Sequence, residues 1–232
     1  MTDKINHHDF IELNYTGKLV DGTIFDTTEE KVARDSGIYN QKMKFGPAII
    51  CVGEQQILPG LDQQLVGKET GHEYTFKLNA EQAFGKRDIK RMRIMPASAF
   101  IEHKMKPYPG LQIDVDGEMG LVTRVSGGRI IVNFNHPLAG KDVVYTVKIL
   151  HKITEKNKQI TAYLNYILKI PTDKIQVAIS DDEAAVTLPA QLPEQFTQII
   201  GKKLAELVQL KEIKFENKRT GDDEQNKEQQ LS

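Results

Sequence analysis

Few residues in this chain are of types that carry covalent chemistry, and their spacing argues against it. The one cysteine, Cys51, lies in the apolar stretch Ile49-Ile50-Cys51-Val52, where a thiol reads as a small buried hydrophobe rather than a nucleophile. The histidines His7, His8, His72, His103, His136 and His151 are scattered along the chain. They read as solvated side chains, and no metal is expected. No nucleophile–base pair is evident. What remains is a set of aromatic residues on alternating segments, Tyr15, Phe25 and Tyr145, with one carboxylate, Asp26, among them. By pattern alone these aromatics are core residues, and Asp26 beside Thr27 and Thr28 is a strand-end or turn-capping group.

The elements that would position these groups fall into two or three domains, the number expected for 232 residues. With 31 basic against 32 acidic residues the net charge is -1, which points to neither nucleic acid nor a membrane surface. An apolar content of 39% supports ordinary cores, and no apolar run approaches the ~20 residues of a membrane helix. Met1 to His8 is polar and lacks the apolar centre of a signal peptide. The lone cysteine excludes an internal disulfide, so a soluble, cytoplasmic protein is expected.

Ile11, Leu13 and Tyr15 alternate with polar residues as a strand, and Asp21-Gly22 reads as a two-residue hairpin turn before Ile24, Phe25 and Asp26. Residues 27 to about 43 are polar and aperiodic and read as a long surface loop of the kind that borders binding sites. Ile49 to Val52 reads as a buried strand. Pro59-Gly60, Leu61, Leu65, Val66 and Gly67 spell one short helix. Tyr74, Phe76 and Leu78 alternate again.

Composition then changes. Residues 89–135 hold seven Lys/Arg against four Asp/Glu and four of the five non-initiator methionines: Met92, Met95, Met105 and Met119. Alternation in Leu121 to Val125 and Ile130 to Phe134, with Gly127-Gly128 as the turn, reads as a small β domain. Val143, Tyr145, Val147 and Ile149 then give a long strand that completes the interrupted first domain. From Glu155 the period becomes helical: Ile160, Tyr163, Leu164, Ile167 and Leu168 share one face. An alternating pair of strands follows, then a second stripe of Phe196, Ile199, Ile200, Leu204, Leu207 and Val208, then Ile213 and Phe215. This predicts α-β-β-α-β over 155–216. Residues 217–232 hold one apolar residue, Leu231, and read as disordered.

In combination, Tyr15-Thr16-Gly17, Asp21-Gly22, Phe25-Asp26, Val52-Gly53, Pro59-Gly60 and Ala83-Phe84-Gly85 resemble the FKBP-type peptidyl-prolyl isomerase family. The insert after Ala83-Phe84-Gly85, closed by Asn135-His136-Pro137-Leu138-Ala139-Gly140, resembles the branch with an inserted-in-flap chaperone domain, which includes the SlyD proteins. The C-terminal region resembles that of the long archaeal members. The resemblance implies an α+β fold: a half-open antiparallel sheet around a short helix (1–88 and 136–154), a β-rich insert (89–135) and a C-terminal module (155–216). It implies a proline pocket lined by Tyr15, Phe25, Asp26, Ile57, Leu58, Leu61, Phe84 and Tyr145. Asp26 would electrostatically favour the twisted amide.

Such a task needs no bond cleavage. Rotation about a peptide bond faces a barrier of roughly 18–20 kcal/mol from C–N resonance, and only tighter binding of the twisted form lowers it. Leu61 stands where many members have Trp, and Phe84 where many have Tyr. The second change removes a hydroxyl, and one such hydrogen bond contributes about 0.5–1.5 kcal/mol. The expected activity is isomerisation of Xaa–Pro bonds in unfolded or nascent polypeptides, with no cofactor. The insert would capture clients through Met92, Met95, Ile113, Leu121, Val132 and Phe134, the alternative for these six being the insert's own core. A non-catalytic holdase or assembly adaptor with a degenerate proline pocket is the alternative function. The apolar stripes of 155–216 predict a homodimer through that region.

Overall fold

The computed structural model describes residues 3–217. The tail predicted to be disordered, 217–232, lies outside the described residues apart from the backbone of Asn217. A five-stranded sheet, antiparallel throughout, organises the first part of the chain. Its strands are β1 (Phe10–Leu19), β2 (Ile24–Thr27), β3 (Ala48–Cys51), β4 (Glu73–Leu78) and β9 (Val143–Lys152), the last following four strands described below. The order is β2-β1-β9-β4, with β3 pairing the start of β1 beyond the reach of β2. In β9 the predicted alternation holds: Val143, Tyr145, Val147 and Ile149 are all buried.

Helix α2 (Pro59–Leu65) packs Leu61 and Leu65 into this core, with Pro59 in its first turn and Gly67 in a left-handed conformation just past its end. Gly60 lets the helix approach the turn after β4. Its N–H donates to the Gln82 carbonyl at 3.1 Å, and a Cβ there would lie 2.6 Å from Gln82. That turn carries Phe84.

Two local expectations are corrected. The connection between β1 and β2 is four residues, Val20 to Thr23, and only Gly22 is left-handed. The Asp21 carboxylate accepts the Thr23 N–H at 2.9 Å and takes the place of a tighter turn. The loop predicted over 27–43 contains a short helix, α1 (Glu30–Asp35), with buried Ala33 and a Glu30–Arg34 pair one turn apart.

The insert is a second antiparallel sheet of β5 (Met92–Pro96), β6 (Gln112–Val115), β7 (Glu118–Ser126) and β8 (Arg129–Asn133), with helix α3 (Ala97–Glu102) after β5. The order is β5-β8-β7-β6. Gly127 and Gly128, both left-handed, close the predicted hairpin. The core is Phe100, Ile113, Val122, Ile130, Val132 and Phe134. One clamp joins the two crossings to the first sheet. Asp88 N–H donates to Asn135 Oδ1 at 2.8 Å, Asn135 Nδ2 donates back to the Asp88 carbonyl at 2.9 Å, and Gly140 N–H reaches the Gly85 carbonyl at 2.8 Å.

The C-terminal module runs α4 (Lys156–Leu168), β10 (Gln176–Ser180), β11 (Glu183–Leu188), α5 (Glu194–Val208) and β12 (Glu212–Asn217), in the predicted order. Strand β11 is central, antiparallel to β10 and parallel to β12. Its core includes Ile160, Leu164, Val186 and Leu204, but also Phe10 and Cys51 of the first sheet. The two units share apolar packing through the β3 edge, against which α4 lies. Within the predicted stripes, Ile167, Phe196 and Ile199 stay exposed.

Candidate functional site

Seven of the eight predicted pocket residues, Tyr15, Asp26, Ile57, Leu58, Leu61, Phe84 and Tyr145, line one cavity of about 200 Å³. They arrive from β1, β2, the loop before α2, α2 itself, the turn after β4, and β9. Phe25 stands behind the wall, edge-on to Phe84 at 5.6 Å and to Tyr145 at 5.8 Å between ring centroids. Tyr15 and Tyr145 meet at 5.8 Å, their rings tilted by 52°. Such pairs hold each other's orientation by their quadrupoles as well as by burial.

Gly17 makes this cluster fit. The strand registers place it opposite Asp26 on one side and Tyr145 on the other. A Cβ there would lie 2.8 Å from the Tyr145 ring and 3.0 Å from that of Phe25. Thr27 and Thr28 tie the end of β2 to β1. Thr28 Oγ1 accepts the Tyr15 N–H at 3.0 Å, and Thr27 Oγ1 donates to the Tyr15 carbonyl at 3.1 Å. The two threonines therefore fix the backbone just after the carboxylate that faces the cavity.

The third wall is a loop held by side chains. Buried Asp62 on α2 accepts the Gly53 N–H at 3.0 Å and the Gln55 N–H at 2.9 Å. Gln56 Oε1 accepts the Cys51 N–H at 2.7 Å. Gln56 also lines the cavity, and its Nε2 is buried without a hydrogen-bond partner among the described residues. Sequence reasoning missed Gln56, whose one signal was its place next to Ile57 in an otherwise apolar wall. His136 was read as solvated. It is exposed, yet its ring stacks on Phe84 at 4.6 Å and 2°, so the insert's return junction touches the pocket.

Burial raises the pKa of Asp26 above the ordinary carboxylate value, and its hydrogen bond with the Tyr15 hydroxyl pulls partly back. Burial, with the Asp26 charge nearby, also raises Tyr15 and Tyr145. Both phenols thus stay protonated as donors. The cavity offers a dry aromatic wall, two neutral hydroxyls and one carboxylate, a combination suited to gripping a twisted amide. Burial pushes the Cys51 thiol to about 12, too high for a nucleophile at neutral pH. Among the described residues, no group of three or more His, Cys, Asp or Glu is placed to hold a metal ion.

The six residues predicted for client capture are not brought together. Ile113, Val132 and Phe134 are buried in the insert core, because alternation turns them inward; Val132 and Phe134 offer no surface for capture. Leu121 is 40% exposed on the opposite face of β7 from buried Val122, and half-buried Met92 lies at the start of β5. Met95 and the edge of Ile113 instead line a separate groove of about 250 Å³ with Phe100, Met105 and Val115, bordered by His103, Asp114 and Asp116. That groove lies between α3 and the edge strand β6.

Comparison with known proteins finds likenesses over two stretches of the chain. The family described as FKBP-type peptidyl-prolyl cis-trans isomerase matches residues 2–102, and the FKBP26 IF domain matches residues 93–138. The short-type peptidyl-prolyl cis-trans isomerase of Methanocaldococcus jannaschii is 29% identical over 149 residues, 64% of this chain and 94% of that protein. The FKBP-type 16 kDa peptidyl-prolyl cis-trans isomerase of Escherichia coli is 28% identical over 154 residues, 65% of this chain and 95% of that protein. The SlyD isomerase of Vibrio cholerae is 24% identical over 137 residues, 57% of this chain and 68% of that protein.

Proposed function

We propose that this chain, which belongs to the FKBP-type peptidyl-prolyl cis-trans isomerases and carries their inserted domain, isomerises Xaa–Pro bonds of unfolded or partly folded proteins in the Tyr15–Asp26–Tyr145 pocket. The observation that carries the reading is the convergence of six separate segments on one small aromatic cavity with a single ionisable carboxylate. Leu61, buried at the cavity's edge on α2, forms a floor for the proline ring. Apolar walls strip water from the amide. A planar amide is more charge-separated than a twisted one, so loss of hydration and the fixed charge of Asp26 penalise the planar form more. The Tyr145 hydroxyl supplies a donor for the substrate carbonyl, while that of Tyr15 is given to Asp26.

Client capture belongs to the groove between α3 and β6. Its thioethers, Met95 and Met105, adapt to varied side chains, and the edge of β6 suits an extended chain laid alongside. Held there, an unfolded chain presents its prolines to the pocket at raised local concentration. The domain division stated above, 1–88 with 136–154, 89–135 and 155–216, goes with this division of labour. We also propose a cytoplasmic location and a homodimer through 155–216, the latter supported by exposed Ile167, Phe196 and Ile199. No helix among the described residues is long and apolar enough to cross a membrane. A protease-free assay on an Xaa–Pro tetrapeptide tests the pocket: turnover by the full chain that falls in Asp26→Ala and Tyr145→Ala supports it, and indifference to both changes refutes it.

A further inference from the structure

The loop that supplies Gln56, Ile57 and Leu58 to the pocket is gripped from its other side by the C-terminal module. Glu54, whose side chain is only 13% exposed, is the point of contact. Lys203 Nζ on α5 lies 2.8 Å from its Oε1, and the Tyr163 hydroxyl on α4 donates to its Oε2 at 3.3 Å. His8 Nε2 stands 3.7 Å away. One residue on, the Tyr166 hydroxyl reaches the Gln55 carbonyl at 3.5 Å. Before it, Cys51 is part of the C-terminal core and also donates its N–H to Gln56.

Resting on the isomerase reading, we infer that Lys203 and Tyr163 are positioning residues of the proline pocket, acting through Glu54 to set the loop of residues 53–58. The loop has no regular hydrogen-bonded structure of its own, and Gln55 is left-handed at φ 52°. Its shape is therefore imposed by side chains: Asp62 from the α2 side, and Glu54 with its two partners from the module side. A carboxylate so nearly buried keeps its place only while paired. Loss of Lys203 or of the Tyr163 hydroxyl lets Glu54 turn toward water, and the wall two residues away moves with it. The C-terminal module thereby tunes the pocket without touching the substrate, and anything that shifts α4 against α5 is felt at Ile57 and Leu58.

The test uses the full chain with Lys203→Met, Lys203→Arg and Tyr163→Phe. It measures kcat/KM on an Xaa–Pro tetrapeptide, the thermal midpoint, and the backbone amide signals of Ile57 and Leu58, with Gly128 in the insert as a reference. Lys203→Met is expected to lower kcat/KM about three- to tenfold, the scale of one lost polar contact, and to move the Ile57 and Leu58 signals but not that of Gly128. Lys203→Arg, which keeps the pair, restores both to near wild type. If Lys203→Met does not fold, Tyr163→Phe, which keeps the ring in the core, carries the same readouts with a smaller loss. Unchanged turnover and unmoved loop signals, or an arginine that restores nothing, overturn the inference. Absence of wild-type turnover defeats the isomerase reading, whereas normal wild-type turnover with indifferent variants defeats this inference alone.

Discussion

Asp26 lies half-buried among aromatic rings, and its folded pKa is raised chiefly because burial disfavours the charge. Relative to the neutral acid, its ionised form therefore opposes folding. That penalty is absent below the usual carboxylate range and complete once the pH exceeds the raised value. Asp26→Asn is expected to raise the melting temperature at pH 7, an advantage that fades toward pH 3, while tetrapeptide turnover drops about tenfold. A scanning calorimeter and the same peptide assay check both halves. Wild-type turnover, for its part, falls on acidification at a higher pH than an ordinary aspartate would give. Gly17 shows the same dependence on shape: Gly17→Ala forces the Tyr145 and Phe25 rings apart. A destabilisation of about 1–3 kcal/mol is expected from overpacking, seen as a lowered denaturant midpoint with turnover reduced in the surviving fold.

The strands of the pocket were legible because burial on one face writes a period of two into the sequence, as in Val143 to Ile149. Helices α4 and α5 were legible from their 3.6-residue stripes. What escaped was short. Helix α1 has one buried residue, Ala33; β6 has four residues and α3 six, too few to establish a period. The pocket residues came from family resemblance, since Tyr15 and Tyr145 look like core by pattern alone. Val132 and Phe134 were misassigned to capture because alternation turns them into the insert's core; methionine density marks a region but not a face. The groove between α3 and β6 makes its own prediction. Met105→Glu, at an exposed position, is expected to leave tetrapeptide turnover within twofold and to slow catalysis of a proline-limited refolding reaction about tenfold or more, through lost effective concentration. Equal losses on both substrates, measured side by side, contradict a capture role.

At the scale of the molecule, the C-terminal module is bonded into the first sheet by Phe10 and Cys51 and by the Glu54 contacts, so it is more than an appended unit. None of this was visible in the sequence, because a core shared between segments over 100 residues apart leaves no local periodicity. The exposed face of α5, with Ile199 at 69% exposure, is where a second copy is expected. Light scattering at tens of micromolar should give the mass of two chains, and Ile199→Glu the mass of one; a wild-type monomer ends that proposal. If one pocket turns prolines over for chains held by the insert, the rates on two substrates must separate. Measured on an Xaa–Pro tetrapeptide and on a proline-limited refolding protein, kcat/KM is expected to be about a hundredfold higher for the protein, with Asp26→Asn lowering both by the same factor. Refolding catalysis that survives Asp26→Asn undiminished, or a protein substrate turned over no faster than the peptide, contradicts that arrangement.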